Sequence, residues 1–242
     1  MTIAEKSPAT LQDLDIPIIF SHAPFLTDDE ISALRSQNWN LSITPESEMH
    51  FGHGQKSSMK ALDQASLGID TAWTYSGDML MQARIFLQHV RANAYQTVLD
   101  TGKVPKRVPM SVEDVFLLLT RQGGQALRRQ DLGVLQVGAK ADIAIFDTKS
   151  PNMAGWTNAV AAVILQANVG DVEGVLVDGQ WRKKDRTMVG VDWDELRGKF
   201  EKVARRVQEN CSGLRNEDLD GEGPFGGMMT WGEPEVFSTK RS

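Results

Sequence analysis

Three apolar runs, each followed by polar residues, define the first seventy positions of the chain. They cover residues 16–20, 41–44 and 66–69. The first run has no polar alternation, which is typical of a strand that is buried on both faces of a parallel sheet. Helical patterns separate or follow the runs, so the order along the chain is strand, helix, strand, strand, helix. This order predicts an α/β fold with parallel pairing.

Helix-start signals support this interpretation. Thr27 is followed three positions later by Glu30, and Ser111 is followed in the same way by Asp114. Such pairs form capping boxes, so helices are predicted to begin after both positions. Residues 76–99 are predicted to form one long helix, because apolar side chains recur there at steps of three and four.

The pattern changes after about residue 130. Residues 132–147 and 172–186 are short strand-like pieces interrupted by glycine, which predicts a small β module rather than further strand–helix units. Beyond residue 191 a helical stripe of apolar residues precedes a segment rich in glycine and acidic residues. We predict four parts: an α/β part over 1–130, a small β module over 131–190, a helix over 191–211 and a flexible tail over 212–242.

Composition narrows the class of protein. The 242 residues are 41% hydrophobic and 24% charged, as in an ordinary globular protein, and the net charge is −6. An acidic chain argues against nucleic acid or an anionic membrane as a partner. The single cysteine, Cys211, allows no intramolecular disulfide. Because the sequence shows neither a signal peptide nor an apolar run of about 20 residues, a cytoplasmic protein is expected.

Candidate chemistry follows two of the apolar runs. His22 comes after the first run and Asp70 after the third, and the segment 45–54 lies between them. Parallel strands end at one rim of a sheet, where ligand sites of α/β proteins lie, so both side chains are expected there. Asp70 either caps a turn or holds a metal ion or a proton, and His22 either binds nearby backbone or takes part in chemistry. Glu46 and Glu48 are expected to be solvated loop carboxylates.

Two weaker signals lie close to these residues. His50 and His53 have an H-x-x-H spacing that could bracket a metal, but zinc needs three or four ligands and the neighbouring glycines argue against a rigid helical pair. Trp73 and Tyr75 could line an apolar pocket, although such residues lie more often in a core.

Four segments, in order, resemble one family. They are "FSHAPFLTDDEISALRSQNWNLSITPESEMHFGHG", "SLGIDTAWTYSGDML", "LGVLQVGAKADIAIFD" and "GDVEGVLVDGQW". Over roughly residues 16–190 the chain resembles the C-terminal half of amidohydrolase-superfamily proteins. The similarity is to the branch of cytosine deaminases, chlorohydrolases and related metal-dependent hydrolases, in a form associated with fungi and some bacteria.

The resemblance implies a distorted (β/α)₈ TIM barrel and a small β-sandwich. Residues 16–22, 41–44 and 66–70 then correspond to the sixth, seventh and eighth barrel strands. The implied fold is α/β: a partial barrel with its last three strands, followed by the C-terminal part of the sandwich. Asp70 matches the aspartate that binds the catalytic metal (zinc or iron) and helps to move a proton. His22 matches the histidine that contacts substrate or steadies the attacking hydroxide. Trp73 is a candidate substrate contact.

The chain departs from the family in its histidines. The family carries an H-x-H pair on its first strand and a further histidine on its fifth, whereas this sequence has no H-x-H. Its four histidines are His22, His50, His53 and His89. The resemblance to the family implies a hydrolase of C–N bonds in a cyclic or aminated small molecule. The missing histidines imply that this chain lacks most of the ligands of the catalytic metal. The chain alone is expected to hold no catalytic metal and to be inactive.

Two alternatives remain open. The chain could be a non-catalytic relative that acts as a binding or assembly partner, as a homo-oligomer or together with a full-length homologue. It could also be a metal-independent lyase or dehydratase in which His22 and Asp70 act as an acid–base pair.

Overall fold

The computed structural model describes residues 16–54, 57–71, 74–214 and 231–239. The chain divides into two compact units, one up to residue 190 and one from residue 191 onwards. None of the described helices is both long enough and apolar enough to cross a membrane. The cytoplasmic location stays a prediction.

A three-stranded parallel sheet begins the first unit. Its strands are β1 (Ile19–Ser21), β2 (Asn40–Ile43) and β3 (Ala65–Leu67), in the spatial order β1-β2-β3. Both neighbouring pairs are parallel, and Leu41 of β2 is paired with Phe20 and Ala65. The predicted parallel pairing is confirmed, and the mixed α/β class with it.

Helices connect and cover these strands. They are α1 (Asp28–Ser36), α2 (Pro45–His50), a 3₁₀ helix (Ser58–Gln64), α3 (Met79–Leu99), α4 (Val112–Leu119), α5 (Arg121–Ala126), α6 (Ala159–Leu165) and a short 3₁₀ turn (Val169–Asp171). Capping boxes form at Thr27 and Ser111, as predicted. The long helix begins later than predicted because Asp78 caps it, its side chain accepting the Leu80 N–H at 2.9 Å.

The main core lies around the central strand. Leu41 and Ile43 of β2 are fully buried, and they belong to one cluster with Leu34 of α1 and Phe86 and Leu87 of α3. The central strand is thus the buried one. The prediction that the first apolar run is buried on both faces is wrong, because β1 lies at one end of the three described strands and Ile16 and Ile19 are 50% and 40% exposed.

The β module is a four-stranded antiparallel sheet. It consists of β4 (Ile143–Phe146), β5 (Val172–Val177), β6 (Gln180–Lys184) and β7 (Thr187–Met188), in that spatial order. Only β4 forms within the predicted segment 132–147. Gly133 and Gly138, with φ of 69° and 89°, turn the chain before it. Left-handed backbone of this kind does not belong to a strand.

The second unit contains α7 (Trp193–Cys211). Asp192 caps it, its side chain accepting the Glu195 N–H at 3.0 Å. No residue of α7 is buried, including its apolar stripe. Of the predicted tail, residues 215–230 and 240–242 lie outside the described residues, and residues 231–239 form neither helix nor strand.

Candidate functional site

The rim at the carboxyl ends of β1, β2 and β3 brings together the two predicted site residues. His22 directly follows β1 and Asp70 lies three residues beyond β3. Nε2 of His22 is 4.0 Å from Oδ2 of Asp70. Both side chains are partly accessible, with 25% and 29% of their surface exposed. A ligand at this rim can therefore reach both groups.

The backbone at both residues is unusual. His22 has φ of 64° and Asp70 has φ of 74°. His22 is the central residue of a three-residue turn, in which the Ala23 N–H donates to the carbonyl of Ser21 at 2.9 Å. Turns of this kind with positive φ are rare and strained. Such strain persists only where the surrounding structure holds it, and it is concentrated at functional sites.

Glycine at position 68 brings the chain after β3 close to β2. A Cβ at Gly68 would lie 2.7 Å from Oγ of Ser42 and 3.2 Å from Cγ2 of Thr44. The Gly68 N–H donates to the carbonyl of Ile43 at 2.8 Å. Because no side chain intervenes, the segment that carries Asp70 can lie directly beside the start of α2.

Helix α2 supplies the groups that hold the two rim residues. Oγ1 of Thr44, its N-cap, lies 2.9 Å from Nδ1 of His22, and Oε1 of Glu48 lies 3.5 Å from the same nitrogen. Ser47 donates from its hydroxyl to Oδ2 of Asp70 at 2.6 Å. One turn of helix thus contacts both candidate residues.

The prediction that Glu46 and Glu48 are solvated loop carboxylates is wrong. Glu48 is fully buried, and its Oε1 accepts the Thr44 N–H at 3.0 Å. Glu46 is partly buried and accepts from Nε2 of Gln82 in α3 at 2.8 Å. The physical reason is that residues 45–50 are a helix and not a loop, so one face of the segment turns inward. Pro45 at the first helical position is a start signal that could have revealed α2.

An aromatic cluster adjoins His22. The ring of His53 meets the ring of His22 edge-on at 5.6 Å between centroids and stacks on Phe51 at 5.9 Å. His50 packs against Phe51 at 4.8 Å and against Tyr75 at 5.5 Å. Tyr75 is buried, and its hydroxyl has no hydrogen-bond partner within the described part of the chain. The aromatic cluster, consisting of His50, Phe51, His53 and Tyr75, forms a wall beside the rim.

The described residues do not by themselves fit a catalytic metal. No group of three or more His, Cys, Asp or Glu side chains within residues 16–54, 57–71, 74–214 and 231–239 is arranged to hold one. A catalytic zinc takes about three protein ligands. The H-x-x-H hypothesis gains no support, since α2 ends at His50 and Gly52 turns the chain before His53 with φ of 67°. Trp73 lies outside the described residues, so its role stays a prediction.

Comparison with known proteins decides the family. The chain matches the amidohydrolase family over residues 3–182. The chain belongs to the amidohydrolase family. It is 30% identical to 5-methylthioadenosine/S-adenosylhomocysteine deaminases from Thermococcus sibiricus and Pyrococcus abyssi, over 183 and 209 residues. These alignments cover 72% and 82% of this chain but 41% and 46% of those proteins. The chain therefore spans less than half the length of these curated relatives.

Solved structures of amidohydrolases share its fold. An adenosine deaminase from Xanthomonas campestris with bound zinc matches 79% of the chain with a TM-score of 0.67 and 19% identity. An atrazine chlorohydrolase from Arthrobacter aurescens, solved with zinc, matches 76% with a TM-score of 0.62 and 18% identity. The chain covers 42% and 40% of those two structures. The resemblance found in the sequence is confirmed, whereas its association with fungi stays a prediction.

Proposed function

We propose that this amidohydrolase chain supplies the His22–Asp70 share of an active site that hydrolyses a C–N bond in a cyclic or aminated small molecule. The observation that carries the proposal is the meeting of these side chains at one rim, 4.0 Å apart, each on left-handed backbone. The curated relatives are named as deaminases, which supports a hydrolase acting on such bonds.

On this proposal the three parallel strands are the last three strands of an eight-stranded barrel, and β4–β7 are the C-terminal part of a β-sandwich. The share of the solved amidohydrolases that the chain covers, 40–42%, supports this assignment. Ligand sites of such barrels lie at the carboxyl ends of the strands, where His22 and Asp70 are found.

Each of the two residues has a defined task. The Asp70 carboxylate accepts a proton from the attacking water, and Ser47 holds it in place through Oδ2. Nε2 of His22 contacts the substrate or steadies the attacking oxygen from the same side of the rim. The oxygen of the water forms a bond to the carbon, and Asp70 then passes the proton it took to the nitrogen. The C–N bond breaks, the nitrogen leaves as an amine or as ammonia, and the Asp70 carboxylate is regenerated. Asp70 is also the one metal ligand that we assign to this chain.

The aromatic cluster supports a planar substrate. Rings of His50, Phe51 and His53 line one side of the rim, and Phe51 is 56% exposed. Flat unsaturated rings pack well against such side chains in stacked or edge-on arrangements. We therefore propose an aminated heterocycle as the class of substrate.

The proposal includes inactivity of the chain by itself. Its described residues provide too few ligands for a catalytic metal, so the remaining ligands would come from sequence beyond this chain or from a partner chain. A homo-oligomer or a full-length homologue stays a predicted partner.

The proposed function is tested on the product of the complete reading frame. The 5′ end of the transcript is mapped, the complete reading frame is expressed, and ammonia release is measured with a panel of aminated heterocycles. We expect an in-frame H-x-H pair upstream of Met1, and ammonia release that stops in His22→Ala. A frame that starts at Met1, combined with ammonia release by this chain alone, would overturn the division of the site that we propose.

A further inference from the structure

We propose that the apolar stripe of α7 is a coiled-coil interface that binds α7 of a second copy of this chain in parallel orientation. The stripe consists of five side chains on one face of the helix: Trp193, Leu196, Phe200, Val203 and Val207. The inference goes beyond the proposed chemistry and does not depend on it, because none of these residues belongs to the rim of the parallel sheet.

The spacing of the stripe is that of a two-stranded coiled coil. Its members follow one another at steps of three, four, three and four residues. These steps are the alternation of the a and d positions of a heptad. All the residues between them are charged, except Gly198 and Ala204. A helix that packs on a globular core has a broader apolar face, whereas a strict a/d stripe is the narrow seam of a coiled coil.

The stripe is large enough for a specific interface. Its side chains are between 49% and 67% exposed, and no residue of α7 is buried. Large apolar side chains exposed to this extent present on the order of 100 Å² each. Two facing stripes would therefore bury roughly 1,000 Å² in total, which is about the lower limit of a specific interface between proteins.

The charged side chains of α7 pair with one another along the helix. Glu195 pairs with Lys199, and the Glu201 carboxylate lies 3.7 Å from Nη1 of Arg197 and 3.8 Å from Nη2 of Arg205. Residues 193–211 carry five basic and four acidic side chains. Because these charges nearly balance, the helix is attracted only weakly to an anionic lipid surface. A protein partner fits α7 better than a membrane.

The residues beside the stripe favour a second copy in parallel orientation. In the heptad the g positions are Asp192, Lys199 and Arg206, and the e positions are Arg197, Ala204 and Cys211. A parallel pair brings each g residue against the e residue that lies five positions later in the other helix. Asp192 then meets the opposite charge of Arg197, and the basic g residues meet uncharged ones. In an antiparallel pair g positions face g positions, which brings basic Lys199 and Arg206 side chains together and repels the helices.

The experiment measures the mass of the full chain by sedimentation equilibrium at concentrations up to about 100 µM. We expect twice the 26.8 kDa of one chain. Phe200→Glu, at the centre of the stripe, should raise the dissociation constant of the dimer at least about tenfold, because a charge replaces a buried ring on both copies. Gln208→Glu is the matched control. It adds the same charge to α7 outside the stripe and should leave the dissociation constant unchanged.

The orientation is tested with Asn210→Cys in a Cys211→Ser background. Position 210 is the d position that follows Val207. Parallel helices bring the two copies of this position together, whereas antiparallel helices separate them. We expect a disulfide-linked dimer after oxidation with glutathione disulfide, and no such dimer when Phe200→Glu is added.

A chain that stays monomeric would overturn the proposal, and so would a dimer that Phe200→Glu leaves intact. A monomer that sediments with phosphatidylglycerol vesicles would assign the stripe to lipid instead. A monomer that Phe200→Glu destabilises, but Gln208→Glu does not, would assign the stripe to another part of its own chain. A dimer without the cross-link at position 210 would overturn the parallel arrangement.

The cross-link alone decides if Phe200→Glu does not fold. None of these measurements uses ammonia release, so a failure of the proposed function and a failure of this interface are read separately.

Discussion

Left-handed backbone at residues other than glycine occurs both at the rim of the parallel sheet and in the hairpins of the antiparallel sheet. In the hairpins the turn explains it. Asp178 and Gly179, with φ of 49° and 76°, form the two-residue loop between the paired residues Val177 and Gln180. Two-residue hairpin turns of type I′ require positive φ at both positions, and Asp-Gly is a preferred pair for them.

At the rim no such turn is present in the described residues. β1, β2 and β3 are parallel, so no two-residue hairpin joins them. His22 and Asp70 nevertheless adopt φ of 64° and 74°, and their side chains lie 4.0 Å apart against α2. The same backbone conformation thus accompanies chain reversal in one region and brings two candidate site residues together in the other.

The largest expected effect on the free energy of unfolding comes from comparing an isoleucine in each of the two sheets. Ile43 in β2 is fully buried, whereas Ile145 in β4 is 37% exposed. Ile43→Ala removes buried methyl groups and leaves a cavity, so we expect a loss of about 2–5 kcal/mol in the free energy of unfolding. Ile145→Ala should lose about 1 kcal/mol or less, because much of its surface already contacts water. Urea denaturation measures both, and equal losses would refute the contrast.

A smaller effect on stability is expected from substituting two glycines that differ in the space around their Cα atoms and in their backbone conformation. Gly68 has no room for a Cβ, which would lie 2.7 Å from Oγ of Ser42, whereas Gly179 has room but a φ of 76°. Gly68→Ala should destabilise by about 1–3 kcal/mol through crowding, and Gly68→Asn by more. Gly179→Asn should be better tolerated than Gly179→Ala, since asparagine accepts left-handed backbone. Thermal unfolding of the four variants tests this, and the opposite order at either position would contradict it.

The smallest expected effect is a pH dependence in the β module. Hydrogen bonds from Ser150 and Asn152 lower the pKa of Asp171 below its ordinary value. Its folded pKa is therefore below its unfolded pKa, so the stabilisation is complete above about pH 4 and is lost as pH falls through the folded pKa. Asp171→Asn should lose about 1 kcal/mol at neutral pH. In denaturation curves between neutral pH and about pH 3 this difference should shrink, and a constant difference would contradict the assignment.

Much of this architecture could be predicted from the sequence. The order of strand-like and helical patterns indicates parallel pairing, and the pairs beginning at Thr27 and Ser111 indicate helix starts, because these signals lie within short stretches of the sequence. The same holds for the Asp178–Gly179 turn. These features depend on neighbouring residues alone, so the printed sequence contains them.

The contacts that position His22 and Asp70 could not be predicted in the same way. Glu48 looks like a solvated acid in the sequence. Its burial depends on the packing of α2 against His22, 26 residues before Glu48, and Asp70, 22 residues after it. Nothing near Gly68 in the sequence shows that Ser42 fills the space at its Cβ. Contacts between distant segments decide these positions.

The measurement that tests the central claim compares Asp70→Asn with Asp178→Asn in the protein made from the complete reading frame. Asparagine tolerates positive φ and keeps an oxygen for the Ser47 hydroxyl, so both variants should unfold within about 0.5 kcal/mol of the wild type. The account predicts that Asp70→Asn alone abolishes ammonia release and the retention of zinc. Full activity in Asp70→Asn, or equal loss in Asp178→Asn, would contradict the claim that the rim residues carry the chemistry.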